Sequence, residues 1–347
     1  MSRIRLSVCI ATLNRAGYIG ATLDSIIAQA SDGVEIVIVD GASTDNTEQV
    51  VHDYQSRFPR LRYLRLAAKG GVDQDYCRAI AMAEGEYCWL MTDDDVLKPG
   101  ALSAVMEAIG HDYSLIVVNA EVRNADLTRV LSPSRLPFSA DRIYQSTDAD
   151  RQRLLAEVGD YLSFIGGVVI KRDIWNARDA ARYFGTEFVH VGVIFQSPLP
   201  QAALAMAEPQ IMIRYGNAQW TPRFFEVWMF KWPGILWSLP NYDDETKRRV
   251  SPPEPWRRAT ALLLFRARGA YSMKEYQTFI APRPGSRRSK FVARLIARLP
   301  GPMVNRLAVV YARARRFEPL LLDLTNSPFH DRNYRRTSTG SRASLSS

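Results

Sequence analysis

Five apolar runs recur along the first third of the chain at the spacing of a strand–helix–strand unit. They are LSVCI (6–10), VEIVIV (34–39), LRYLRL (61–66), EYCWLM (86–91) and SLIVVN (114–119). Most are rich in β-branched or aromatic residues, as strands are. Stretches with helical character lie between them, at 18–28, 45–58, 73–83 and 100–109. Pro99-Gly100 suits a helix start, and Asp45 with Glu48 has the spacing of a capping box. Each unit takes about 25–30 residues, the length of a right-handed βαβ crossover. The runs scarcely alternate between apolar and polar residues, which implies strands buried on both faces. Residues 1–120 therefore read as a doubly wound, mostly parallel α/β sheet with helices on both faces.

In such sheets ligands bind outside the carboxyl ends of the strands. The segments that leave those ends are ATLNR (11–15), DGASTDNT (40–47), AAKGGVDQDYCR (67–78) and TDDD (92–95). No GxGxxG follows a strand and no GxxxxGK[ST] is present, so neither dinucleotide nor P-loop binding is supported. Asp93, Asp94 and Asp95 repel one another and call for a positive partner. A hard divalent cation, Mg²⁺ or Mn²⁺, is held by one or two carboxylates plus substrate phosphates and meets that need. As a Lewis acid it would offset charge on a leaving phosphate. The plainer alternative is a solvated acidic turn capping the helix after Pro99.

Three segments in order, SVCIATLNRAGYIGATLDSIIAQ, VEIVIVDGASTDNT and KGGVDQDYCRAIAMAEGEYCWLMTDDD, resemble the family-2 glycosyltransferases of the GT-A fold. Within that family the chain is most similar to abequosyltransferase-like enzymes of bacterial surface polysaccharide assembly. The resemblance runs from about residue 5 to about residue 240. It implies a GT-A domain over 1–240, with a nucleotide-binding half (1–120) and an acceptor half (121–240). A basic helical extension (241–330) and a disordered tail (331–347) would follow.

The resemblance also implies a nucleotide-sugar donor and assigns residues to it. Thr12, Asn14 and Asp40 would hold base and ribose. Asp93 would lie near the ribose, and Asp94 with Asp95 would bind the metal. Arg78, or else Lys69, would contact the diphosphate. Arg214 in IRYGNAQW (213–220) would add positive charge there, and Asn217 or Trp220 would shape the acceptor side. The sequence departs from the family pattern at Ala11, where Pro is usual, at Gly41-Ala42, and at Thr92, where many members carry Asp.

Inverting transfer needs a base to take the proton of the acceptor hydroxyl, a task for a carboxylate or an imidazole. The family places an acidic pair at a helix start in its second half. The corresponding stretch here, YFGTEFVHVGVIFQ (183–196), offers His190 and Glu187, and Asp160 is a third candidate. A satisfied core histidine and a loop glutamate are the plain alternative.

The charge is split along the chain. From residue 247 onward there are 22 Lys and Arg against 5 Asp and Glu, while residues 1–246 carry 23 against 31. In RRSKFVARLIARL (287–299), Phe291, Val292, Leu295, Ile296 and Leu299 form an apolar face opposite Arg287, Arg288, Lys290, Arg294 and Arg298. After Pro300 and Pro302 the pattern repeats with Met303, Val304, Leu307, Ala308 and Tyr311. Such helices lie in the interface of anionic membranes, or pack on the body with a solvated basic face. Upstream, Phe225, Trp228, Met229 and Trp232 follow helical spacing. Core packing is the ordinary outcome for that stripe, and docking at the headgroup level is the sharper one.

Cys9, Cys77 and Cys88 sit in apolar settings without metal-type spacing and read as reduced core residues. No signal peptide and no run of about 18 apolar residues is visible. The expectation is a cytoplasmic enzyme, peripheral on the inner face of the membrane, that meets a nucleotide sugar and a lipid-linked oligosaccharide acceptor and no nucleic acid. Two other readings are a nucleotidyltransferase on a related sheet and a non-catalytic basic protein that binds nucleic acid.

Overall fold

The computed structural model describes residues 3–216 and 223–330. The chain divides into two compact units, one of 1–215 with 234–251 and one of 216–233 with 252–347.

In the first unit the strands are β1 (Leu6–Thr12), β2 (Val34–Asp40), β3 (Leu61–Arg65), β4 (Tyr87–Met91), β5 (Val96–Leu97), β6 (Leu115–Val117), β7 (Ala120–Arg123), β8 (Val130–Ser132), β9 (Arg142–Tyr144), β10 (Val168–Lys171), β11 (Ala203–Ala205) and β12 (Ile211–Arg214). The eight-stranded sheet has the order β3-β2-β1-β4-β10-β6-β11-β9. β3, β2, β1 and β4 run parallel. β1, β2 and β4 are almost wholly buried, as their unbroken apolar sequence requires. Helices α1 (Ile19–Ile27), α2 (Thr47–Gln55), α3 (Val72–Met82) and α4 (Ala101–Ile109) connect the strands. Each falls within three residues of its expected bounds.

Two details differ from expectation. The fifth apolar run, now β6, does not pair with β4. β10 lies between them, antiparallel to both. A four-residue strand can enter there because each buried edge needs its amides and carbonyls paired. The capping box also does not form. The Asp45 carboxylate accepts from the Thr47 and Ala16 amides, while Glu48 meets His52 and Arg65. Asp45 thus ties the loop after β1 to the start of α2.

A second sheet, β5-β12-β7-β8, is small. Its β5 follows directly on the Asp93–Asp95 segment, and pairs Leu97 with Ile211 and Val96 with Met212. This pairing carries Arg214 back to the acidic cluster.

The second unit is helical. The helix 259–267 packs on helices 287–298 and 301–314, and 318–326 packs on 301–314. One apolar cluster joins Phe225, Met229, Trp256, Phe265, Tyr271 and Ile296. Phe225 and Met229 are therefore core residues, as the helical stripe implied, and Trp232 is buried as well. Asn305 is buried and donates to the carbonyls of Ala267 (3.0 Å) and Leu324 (2.8 Å), tying three helices together. The expected apolar face of 287–299 splits. Ala293, Ile296 and Ala297 turn inward, while Phe291 and Leu295 turn outward. Ile296, with Val292 packed beside it, fills the inner side together with the two alanines.

α5 (Asp148–Val158) precedes two tight turns, and α6 (Arg172–Asn176) precedes α7 (Val189–Phe195). Every residue of α7 is buried. Its His190 is 1% exposed and donates from Nε2 to the Leu162 carbonyl at 2.7 Å, while Nδ1 has no hydrogen-bond partner. Burial pushes this imidazole down to about 4, against about 6.5 in an unfolded chain. Between those values the unfolded state binds a proton that the folded state excludes, so stability falls as pH drops from about 6.5 toward 4. The loss is about 2 kcal/mol by pH 5, at about 1.4 kcal/mol per unit. Urea unfolding at pH 7 and pH 5 will show a stability loss larger in the wild type than in His190→Gln by about that amount. Equal losses would mean the imidazole is not buried neutral.

Candidate active site

The register of the large sheet assembles the site. Thr12 pairs with Asp40 at the ends of β1 and β2, and Ile10 pairs with Met91 of β4. Asp93, two residues past Met91, therefore lies beside Thr12. The loops leaving β1, β2 and β4 share one edge.

Arg15 provides the positive partner that three adjacent carboxylates require. Its Nε lies 3.3 Å from Asp93 Oδ1 and its Nη2 lies 3.2 Å from Asp94 Oδ2. All three side chains are largely buried, between 11% and 13% exposed, so the pair is weakly screened. The planar guanidinium suits two carboxylates at once. Tyr18 completes the arrangement, with the Arg15 and Arg214 guanidinium carbons 5.6 Å and 5.4 Å from its ring centre.

Asp95 has a different task from its neighbours. Its Oδ2 accepts from the Thr92 hydroxyl at 2.5 Å and its Oδ1 from the Arg214 amide at 2.7 Å. Its backbone carbonyl accepts from Thr22 at 2.7 Å. Arg214 in turn donates from Nε to the Asp94 carbonyl at 3.0 Å. Asp95 and Arg214 thus lock the acidic turn against α1 and β12. Both Asp93 and Asp95 have carboxyls raised above the ordinary range, first by burial and then by the charge of Asp94, with Arg15 pulling Asp93 partly back. One arginine side chain does not neutralise three acids in a desolvated turn.

The donor set can be tested for a cation on this geometry. Among the described residues no three His, Cys, Asp or Glu side chains form a ready-made cage. Asp93 and Asp94 present carboxylates side by side, and the buried Thr12 hydroxyl stands next to Asp93. Those residues fit a hard cation that brings phosphates as its other ligands. Asp95, expected as a second ligand, has both oxygens engaged.

The other expected residues fall as follows. Asp40 is fully buried, with Oδ1 accepting from the Ser43 amide and Oδ2 from the Tyr63 hydroxyl, each at 2.7 Å. Asn14, at φ 55°, accepts at Oδ1 from the Thr44 amide at 2.7 Å and so joins the first two loops. Arg78 is half exposed and lies 3.4 Å from Asp75, in a stretch that also brings its Nη1 near Gly70. Lys69 is exposed. Asp160 is exposed at the end of α5. Asn217 and Trp220 lie outside the described residues.

Glu187 precedes α7 at φ 69°. Its amide donates to Asp73 Oδ2 at 2.9 Å, and the Val189 amide donates to Asp73 Oδ1 at 3.1 Å. Asp73 opens α3, the helix that leaves the carboxyl end of β3. It therefore pins the start of α7 from across the chain. The sequence marks Asp73 only as an acid in a first helical turn. Arg15 carried a clearer signal, as the single base in the loop after β1, facing a triple acid.

Residues 7–171 match the model described as "Glycosyl transferase family 2". Abequosyltransferase RfbV of Salmonella typhimurium is 29% identical over 206 residues, which is 56% of this chain and 62% of that protein. The GalNAc(5)-diNAcBac-PP-undecaprenol beta-1,3-glucosyltransferase of Campylobacter jejuni is 32% identical over 116 residues, 33% of this chain and 38% of that one. The chain thus spans less than two thirds of the length of these relatives. Residues 1–349 of S. aureus TarS align with TM-scores of 0.53 alone and 0.54 in the complex with UDP-GlcNAc, over 96% of this chain and 92% of that one, at 16% and 15% identity. That likeness is one of fold, and the fold is the GT-A architecture. The family match covers residues 7–171 of 347, and it is over that segment that the chain is similar to glycosyltransferase family 2.

Proposed function

We propose that the chain is an inverting glycosyltransferase. It moves a sugar from a nucleotide-sugar donor to a lipid-linked acceptor in the assembly of a bacterial surface polysaccharide. The observation that carries this reading is the acidic turn after β4, held against Arg15 and Arg214 at the ligand-binding edge of the sheet. Relatives with printed activities support it, since one is named for abequosyl transfer and one for a PP-undecaprenol-linked substrate.

In the reaction the acceptor oxygen attacks the anomeric carbon. The bond from that carbon to the phosphate oxygen breaks, and its electron pair stays on the departing diphosphate. The proton of the acceptor hydroxyl passes to a base. Asp40, Thr12 and Asn14 frame the nucleoside end. Arg78 and Arg214 border the diphosphate. Asp94, with Asp93, would hold Mg²⁺ or Mn²⁺, which when bound offsets charge on the leaving diphosphate.

Glu187 is the better base of the two candidates. Its backbone is fixed by Asp73, and it is only partly buried. His190 is sealed in α7 and holds the Leu162 carbonyl, which suits a structural role. No described helix is long and apolar enough to cross a membrane. A lipid-linked acceptor would place the enzyme as a peripheral protein on the inner face of the membrane.

Asp94→Ala will abolish transfer in protein that still unfolds cooperatively, because the side chain lies in a turn and the strands on either side keep their backbone pairing. Transfer at the wild-type rate would refute the assignment. Glu187→Gln will lower kcat by about a hundredfold or more, the usual scale for losing a general base, with nucleoside diphosphate affinity unchanged. An unaltered kcat would move the role to His190 or Asp160.

A further inference from the structure

Helices 287–298 and 301–314 each bury a face of small or β-branched residues: Ala293, Ile296 and Ala297 on one, Val304, Val309 and Ala312 on the other. Both pack on the helix 259–267. Their other faces are unlike the surface of an ordinary soluble helix. Phe291 is 68% exposed, Leu295 54%, Leu307 66%, Val310 65% and Tyr311 53%. Scattered apolar residues on a surface need no explanation, but with Met303 six lie here on two consecutive helices.

The charges between them are of one sign. Residues 287–316 hold nine Lys and Arg and no Asp or Glu. Arg287, Arg288, Arg294 and Arg298 share the exposed face of the first helix with Phe291 and Leu295. Arg294 and Arg298 are four residues apart, so they repel. Among the described residues no carboxylate pairs with these four arginines, although Arg257 and Arg268 in the same unit do find Glu254 and Asp323.

We infer that the exposed faces of these two helices dock on an anionic phospholipid bilayer. A lipid surface meets both demands at once. Phosphate headgroups offset the repelling arginines, and the acyl boundary takes the phenyl, leucyl and valyl side chains. Arginine stems lie along apolar surface while their heads reach the phosphates. Neither helix, at 12 and 14 residues, is long enough to span a bilayer of about 30 Å, so the pair lies in the interface. The docking surface is therefore not the apolar stripe through Ile296 and Val304, which is core. The inference deepens the reading of a peripheral transferase with a lipid-linked acceptor by naming the surface that holds it at the membrane.

The test is flotation of the full-length protein with vesicles of phosphatidylcholine alone, and of phosphatidylcholine with 30% phosphatidylglycerol, a composition on the order of that in anionic membranes. Donor and acceptor are absent, so failure here is separable from failure of the glycosyltransferase reading. The protein will partition to the anionic vesicles and not to the neutral ones, and high salt will weaken the association. A basic residue near such a surface contributes about a fivefold gain. Arg287→Gln, Arg288→Gln, Arg294→Gln and Arg298→Gln combined will therefore lower partitioning by more than about fiftyfold. Phe291→Ser with Leu307→Ser will lower it at least about tenfold, and both variants, altered only on the surface, will keep the wild-type melting transition. Equal binding to neutral and anionic vesicles, or variants that bind as the wild type does, would overturn the inference. So would a dimer in solution that the Phe291→Ser, Leu307→Ser variant dissociates, or a salt-sensitive gel shift with RNA or DNA in place of vesicle binding.

Discussion

The geometry of the first unit turns on one electrostatic constraint. Three consecutive carboxylates at the end of a buried strand cannot stand alone in a desolvated turn. The chain meets this with Arg15 from the first loop, which spans Asp93 and Asp94, and with β12, which brings an amide and a guanidinium to Asp95 and the Asp94 carbonyl. Much of the second sheet serves that purpose. β5 follows the acidic turn and β12 pairs with both β5 and β7, so the segment that supplies Arg214 is fixed by backbone hydrogen bonds as well as by its own side chain.

The parallel part of the large sheet was legible because its central strands are buried on both faces and punctuated by Gly, Asp or Pro. The antiparallel β10 was not legible. Its four residues, VVIK, carry no pattern that names β4 and β6 as neighbours, and their partners lie about fifty to eighty residues away. The acidic cluster was read as a ligand site from its position after β4. Its counter-ion was read as a metal alone, whereas a guanidinium 78 residues upstream already spans two of the three carboxylates. Asp45 shows the same limit in miniature: the spacing to Glu48 fits a cap, but the Ala16 amide from another loop competes for the carboxylate and wins.

The second unit shows how amphipathicity can mislead by one face. The helix 287–298 buries Ala293, Ile296 and Ala297, while Phe291 and Leu295 from the same expected apolar face turn outward. The stripe through Phe225 and Met229 keeps its ordinary reading and lies in the core, where the aromatic rings of Phe265 and Tyr271 meet Phe225 at 5.6 Å and 4.7 Å.

The most direct test of the account is calorimetric titration of UDP, dTDP, CDP and GDP into the folded protein, each with Mn²⁺ and again with EDTA. The account predicts that one nucleotide binds, that EDTA weakens it at least about tenfold, and that Arg15→Ala alters the affinity because that residue shares the carboxylates with the incoming charge. No heat from any of the four, in protein with an intact unfolding transition, would contradict it and leave the acidic turn as a structural brace alone.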